Sequence, residues 1–133
     1  MTGIGNGRGI LIVDDEQNIA DTLALIFSKN GYEVRVAYSA EDAIVLIAEW
    51  QPELAILDVM LPRMNGIDLA IVLRQNYPCC RTLLFSGHHS TQDLLEEASK
   101  KGHVFDILAK PVHPAYMLDT VSDLLAQHHK GEA

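Results

Sequence analysis

Asp58 ends the apolar run Leu54-Ala55-Ile56-Leu57 and opens a loop punctuated by Pro62. Two further segments have the same form. Ile10-Leu11-Ile12-Val13 runs into Asp14-Asp15, and Val104-Phe105-Asp106-Ile107-Leu108-Ala109 runs into Lys110-Pro111. Read as strands, these segments carry three carboxylates and one ammonium to their C-terminal ends, the edge of an open parallel α/β sheet where ligands bind. Carboxylates gathered in one place repel and raise one another's pKa unless a cation joins them. A small cluster of hard oxygen donors suits Mg²⁺, which keeps several waters and leaves positions for phosphate oxygens. With the hydroxyl of Ser86, the set has the parts for phosphoryl transfer to a carboxylate. In such a set a carboxylate supplies the nucleophilic oxygen, while metal and ammonium stabilise charge on the transferred group.

Singly, each motif has an ordinary reading. Asp14-Asp15 alone fits a helix N-cap favoured by the helix dipole. Lys110-Pro111 alone fits a solvated strand end, and Ser86-Gly87 a turn. The combination carries the signal.

The elements that must position these groups alternate strand and helix five times, without repeat or long linker. Ile19, Leu23, Ile26 and Phe27 recur at helical spacing after the first strand, and Asn30-Gly31 closes that helix. Tyr32 to Ala37 alternates as a strand, and Ser39 caps a helix whose apolar stripe is Ala43, Ile44, Ile47 and Ala48. Beyond the Asp58 strand, Asn65-Gly66 leads into a short helix with Ile67, Ala70, Ile71 and Leu73. Arg81 to Phe85 is the fourth strand, and Ser90 or Thr91 opens a more polar helix through Lys101. Met117, Val121, Leu124 and Leu125 mark the last helix.

Alternation of this kind predicts a doubly wound α/β fold: a parallel five-stranded sheet, right-handed crossovers and helices on both faces. The uniformly apolar first and third strands belong at the centre, and the polar second strand at an edge. The flavodoxin-like (βα)5 order 2-1-3-4-5 meets both conditions and brings Asp14, Asp15 and Asp58 together at the switch point. It sends the fifth strand to the other edge, where it needs helix cover.

The 133 residues fit one domain. Eighteen acidic against ten basic residues give a net charge of -8, which opposes direct binding to nucleic acid. No apolar run approaches a membrane span, and the start Met-Thr-Gly-Ile-Gly-Asn-Gly does not read as a signal peptide. Cys79 and Cys80 are adjacent and the only cysteines, which fits a reduced cytoplasmic protein. Gly3, Gly5, Gly7 and Gly9 precede the first strand and lack the G-x-G-x-x-G spacing, so they are not a nucleotide loop. No G-x-S-x-G surrounds Ser86, which excludes a hydrolase elbow.

These motifs resemble the response-regulator receiver domains of two-component signalling. The carrying residues are Ile12-Val13-Asp14-Asp15-Glu16, Leu57-Asp58-Val59-Met60-Leu61-Pro62 with Gly66, Phe85-Ser86-Gly87, and Phe105-Asp106 through Lys110-Pro111. Each motif is short, but four in this order are specific. The resemblance implies a receiver domain over residues 9–127, and the residues outside it read as a flexible N-terminal arm over 1–8 and a C-terminal tail over 128–133. It implies that Asp58 is the phospho-acceptor and attacks a phosphohistidine. Asp15 would ligate Mg²⁺ directly, Asp14 through water, and the Met60 carbonyl would be a further ligand. Lys110 would pair with the phosphoryl group or, before transfer, with Asp58, and Ser86 would hydrogen-bond a phosphoryl oxygen. Met60 and His88 stand where the family tunes the lifetime of the acyl phosphate.

Two positions depart from the family pattern. Ile107 stands where an aromatic ring often reports the active state, and Ile cannot make that swing. His103 stands where Gly is usual and reads as a solvated loop residue. The function implied is a phosphorylation-controlled module rather than a turnover enzyme, catalysing only its own phosphorylation and slow dephosphorylation. Its expected partners are a sensor histidine kinase or phosphotransfer protein and a downstream protein target, met through the last two helices and last strand. The expected state is a monomer or a phosphorylation-dependent dimer. The alternative is a degenerate receiver used as a constitutive scaffold. A phosphatase of the haloacid-dehalogenase type would need a D-x-D pair, and Asp58-Val59-Met60 lacks it. A flavodoxin-like cofactor binder would need a phosphate loop after the first strand.

Overall fold

The computed structural model describes residues 8–87, 91–103, 105–110 and 112–132, with the backbone alone at Thr91 and over 127–132. Strands and helices alternate: β1 (Gly9–Val13), α1 (Gln17–Lys29), β2 (Glu33–Ala37), α2 (Ala40–Glu49), β3 (Leu54–Asp58), α3 (Gly66–Asn76), β4 (Arg81–Ser86), α4 (Thr91–Lys100), β5 (Asp106–Ala109) and α5 (Pro114–Glu132). All strand pairs are parallel, in the expected order β2-β1-β3-β4-β5. The polar strand β2 is one edge and β5 the other.

Period-two alternation sends successive side chains of the central strands to opposite faces. Ile10 and Ile12 of β1, Leu54 and Ile56 of β3, and Leu83 and Phe85 of β4 join Ala20 and Phe27 of α1 and Met117, Val121, Leu124 and Leu125 of α5. Leu11, Val13, Ala55, Leu57 and Leu84 face the other way, toward Ala43 and Ile47 of α2, Leu69, Ala70 and Leu73 of α3, and Ala98 of α4. Both faces of β1 and β3 are therefore buried, which is why they read as unbroken apolar runs.

Local signals act as their chemistry requires. Gly31 ends α1 at φ 94°, and the Tyr32 N–H returns to the Phe27 carbonyl at 3.2 Å. The Ser39 Oγ accepts from the Asp42 N–H at 3.0 Å, and Asn65 Oδ1 from the Asp68 N–H at 2.8 Å. Trp50, just past α2, lies against Gly9 at the start of β1 and under the Arg35 guanidinium, 4.8 Å from its ring.

Several boundaries differ from the sequence reading. The buried stripe of α2 is Ala40, Ala43 and Ile47, while Ile44 and Ala48 face solvent. Strand β5 begins at Asp106, later than its apolar run, because Phe105 is engaged elsewhere. Its ring stacks on His103 and lies 4.3 Å from the Arg74 guanidinium. His103 is thus half-buried rather than solvated. The helical backbone of α5 continues to Glu132, past residue 127. Of the N-terminal arm only Arg8 is among the described residues, with an ion pair to Glu53 at 3.7 Å.

Gly66 is the tightest point in the fold. A Cβ there would lie 2.1 Å from the Asp58 carbonyl oxygen and 3.0 Å from the Val59 Cα. The Gly66 N–H also donates to the Val59 carbonyl at 2.9 Å. Backbone meets backbone, so no side chain can yield. Gly66→Ala is expected to destabilise by about 3 kcal/mol, the upper range of overpacking, measured by urea denaturation. Wild-type stability in the variant would contradict this packing.

Candidate functional site

The sheet register assembles the charged groups. Val13 of β1 is level with Leu57 of β3, so the next residues, Asp14 and Asp58, come out side by side. Asp58 in turn is level with Phe85 of β4, and Ser86 with Ala109 of β5. Asp14, Asp58, Ser86 and Lys110 therefore line one edge, each at or just past the end of its strand.

Asp14 and Asp58 are buried, as is Ser86. The carboxylate oxygens of Asp14, Asp15 and Asp58 come within 4.8 Å of one another, and Asp15 is exposed. The Lys110 Nζ reaches over this cluster, 3.3 Å from Asp14 Oδ2 and 3.4 Å from Asp58 Oδ1. It also lies 3.8 Å from Glu16 Oε1 and 4.6 Å from the centre of the Phe85 ring. The Asp14 Oδ1 accepts the Glu16 N–H at 2.9 Å. That bond explains the N-cap appearance of Asp14-Asp15. The position preceding α1 is Glu16, whose own side chain makes no capping bond, and Asp14 serves the turn from inside.

Burial raises the Asp14 pKa from 3.8 to about 6, and the charge of Asp58 adds to it, while the Glu16 N–H and Lys110 oppose it. Burial likewise raises Asp58, with Lys110 and the Met60 N–H pulling down and Asp15 pushing up. Burial works against the Lys110 ammonium, but Asp58 and Asp14 outweigh it and raise its pKa. Burial, more than mutual repulsion, is thus what raises the two carboxylates.

A divalent cation fits this donor set. Three carboxylates within contact of one ion, one of them solvent-facing, match the oxygen coordination and retained waters of Mg²⁺. Burial is the main cause of the raised carboxylate pKa values, and a bound divalent cation would favour the ionised forms. Met60 lies two residues past Asp58 and is 37% exposed. On the α1–α5 side of Lys110 an apolar groove of about 360 Å³ is lined by Ile19, Leu23, Phe85, Val112 and Met117.

A family model for the response regulator receiver domain matches residues 10–122. The chain is a response-regulator receiver domain. Solved receivers share its fold. A CheY-like receiver domain protein from Methanospirillum hungatei JF-1 is 28% identical at a TM-score of 0.85, over 95% of this chain and 99% of that one. A putative response regulator from Chloroflexus aurantiacus J-10-fl is 32% identical at 0.78, over 91% and 99%. The receiver domain of NtrX from Brucella abortus is 30% identical at 0.77, over 88% and 98%. Among the described residues of this receiver, no helix is long and apolar enough to cross a membrane.

The receiver's site residues named from sequence, Asp14, Asp15, Asp58, Met60, Ser86 and Lys110, all fall at this one edge. His88 lies outside the described residues, as do Val104 and Pro111. Ile107 is half-buried in β5 and packs toward the α2–α4 face. Sequence reasoning missed two contributors. Glu16 was visible beside the Asp pair, but only the fold brings it to Lys110. Phe85 was legible as the end of the fourth strand, but not the placing of its ring against the ammonium.

Because Asp14 is raised in the fold, its protonated form favours folding. That contribution is complete below pH 3.8 and is lost as pH rises through about 6. The metal-free receiver should accordingly lose stability from this group across that interval, and Mg²⁺ should restore it above. Mg²⁺ affinity should rise with pH through about 6, with proton release. Calorimetric titration in two buffers of different ionisation enthalpy measures both, and a pH-independent affinity would count against the cluster as the site.

Proposed function

We propose that this receiver accepts a phosphoryl group on Asp58 with Mg²⁺ and signals by altered protein contacts. The observation that carries the reading is the Asp58 carboxylate itself. It is buried at a strand end, 3.4 Å from the Lys110 ammonium and within 4.8 Å of two further carboxylates. A nucleophilic oxygen, a fixed cation and an oxygen set for a divalent ion are together what the transfer requires.

In the transfer, an Asp58 oxygen forms a bond to phosphorus as the bond from phosphorus to the donor histidine nitrogen breaks. The electron pair leaves with the imidazole, which takes up a proton. Lys110 stabilises charge on the phosphoryl oxygens, and the Ser86 hydroxyl donates to one of them. Bound Mg²⁺ supplies further charge neutralisation across the reacting oxygens. Asp15, the exposed member, would hold the ion directly, with the Met60 carbonyl as a further ligand. Asp14, whose oxygens accept from the Glu16 N–H and Lys110, would hold the ion through water, as in the family.

The donor is a sensor histidine kinase or phosphotransfer protein. Loss of the phosphoryl group is slow and self-catalysed, so the module is not a turnover enzyme. Its output is a cytoplasmic protein contact, as a monomer or phosphorylation-dependent dimer, without direct nucleic-acid binding. With Ile107 in place of an aromatic ring, switching proceeds by backbone rearrangement beyond Ser86.

Intact mass after incubation with acetyl phosphate and Mg²⁺ tests the reading. One phosphoryl group should be added, abolished by EDTA and absent in Asp58→Asn. Lys110→Ala should slow the addition about a hundredfold. No addition to wild type, even from a phosphorylated kinase, would move the function to a constitutive protein-binding scaffold. Met60→Asn should shorten the lifetime of the acyl phosphate, followed as decay of the added mass. An unchanged lifetime would remove Met60 as a shield.

A further inference from the structure

The segment from Val59 to Asn65 carries the Met60 carbonyl and is anchored firmly at both ends. Val59 and Leu61 are buried, and the Val59 N–H donates to the Phe85 carbonyl at 3.1 Å. At the far end Asn65 caps α3 and Gly66 is pressed against Asp58. The middle is different. Arg63 has φ 63°, the only non-glycine residue with positive φ among the described residues. A side chain with a Cβ avoids that conformation, and it persists only where surroundings impose it.

Glu41, in the first turn of α2, is what reaches this turn. Its Oε1 is 3.4 Å from an Arg63 guanidinium nitrogen, and its Oε2 accepts the Met64 N–H at 3.4 Å. One carboxylate therefore grips the strained residue and the one after it, across more than twenty positions of sequence. The Glu41 carboxylate is folded onto its own backbone N–H, which with Arg63 and the Met64 N–H holds it below the usual carboxylate range. It stays ionised wherever the receiver would work.

We propose that Glu41 is a positioning residue for metal binding: by clamping Arg63 and the Met64 N–H, it fixes the turn that presents the Met60 carbonyl to the cation. The inference rests on the functional reading above. Each contact is long and exposed, hence weak in isolation. Its leverage comes from the strain, because a freed Arg63 relaxes to negative φ and carries the preceding residues with it. The fold survives that relaxation, since Val59 and Gly66, at the two ends of the segment, remain anchored.

The test compares wild type, Glu41→Ala, Arg63→Gly and the double variant. Calorimetry gives Mg²⁺ affinity, thermal melting gives integrity, and amide hydrogen exchange at Met64 is followed in metal-free protein. Glu41→Ala should weaken Mg²⁺ about three- to tenfold, at the low end for a group that orients a ligand rather than binding. Adding Arg63→Gly should recover most of that loss, because Gly adopts positive φ without strain. Glu41→Gln keeps an acceptor and should fall between, and it serves if Glu41→Ala melts early. Wild-type affinity in Glu41→Ala, or a loss that Arg63→Gly does not recover, overturns the proposal. If wild type itself fails to bind Mg²⁺, the functional reading fails separately. Met64 exchange then decides the clamp: faster exchange in Glu41→Ala sustains it, and unchanged exchange overturns it.

Discussion

Two buried carboxylates share one ammonium at the edge of this sheet, and much else in the molecule follows from holding them there. Asp14 and Asp58 are both removed from water, and Lys110 lies within 3.4 Å of each. Charges so placed would normally lose their ionisation, yet ligand chemistry needs them ionised. The compromise is a pair of acids held out of water and partly neutralised by one lysine, whose electrostatic stress a bound cation would relieve. An arrangement of this kind is weakly stabilising by itself, and its value lies in what it can bind.

Holding that stress requires a rigid frame. The register between β1 and β3 places the two aspartates as neighbours, and both strands are buried on each face. A slip of one residue would draw an aspartate into the core, or put Val13 or Leu57 at the charged edge in its place. The hydrophobic layers built on α1 and α5, and on α2 to α4, therefore do more than supply stability. They exclude the registers in which the charged groups would not meet.

This division explains what could be read from residues alone. Strand order was legible because burial on two faces leaves an unbroken apolar run, as in Ile10 to Val13, while an edge strand such as β2 alternates. The charged edge was legible because parallel strands all deliver their last residue to the same side. Less legible was anything decided by contact between distant segments. The stripe of α2 was misplaced at Ile44 and Ala48, since two faces of that helix carry apolar residues and only packing selects one. The start of β5 was set too early because Arg74 and His103 draw Phe105 out of the strand. Glu16 at Lys110 and Glu41 at Arg63 were invisible for the same reason.

Trp50 gives the fold a built-in observer. It is the only tryptophan in the chain and lies against Gly9, where β1 begins, whereas Asp14 follows where β1 ends. Five residue steps separate Gly9 from Asp14, about 16 Å at the usual rise. Half-buried and flanked by Arg35, the indole is held by the opposite end of the sheet from the charged groups. Its emission should follow the collapse or loss of the whole sheet and stay nearly blind to ligands arriving at the other end. Optical unfolding curves can then be compared between ion-loaded and ion-free protein without the probe itself reacting to occupancy.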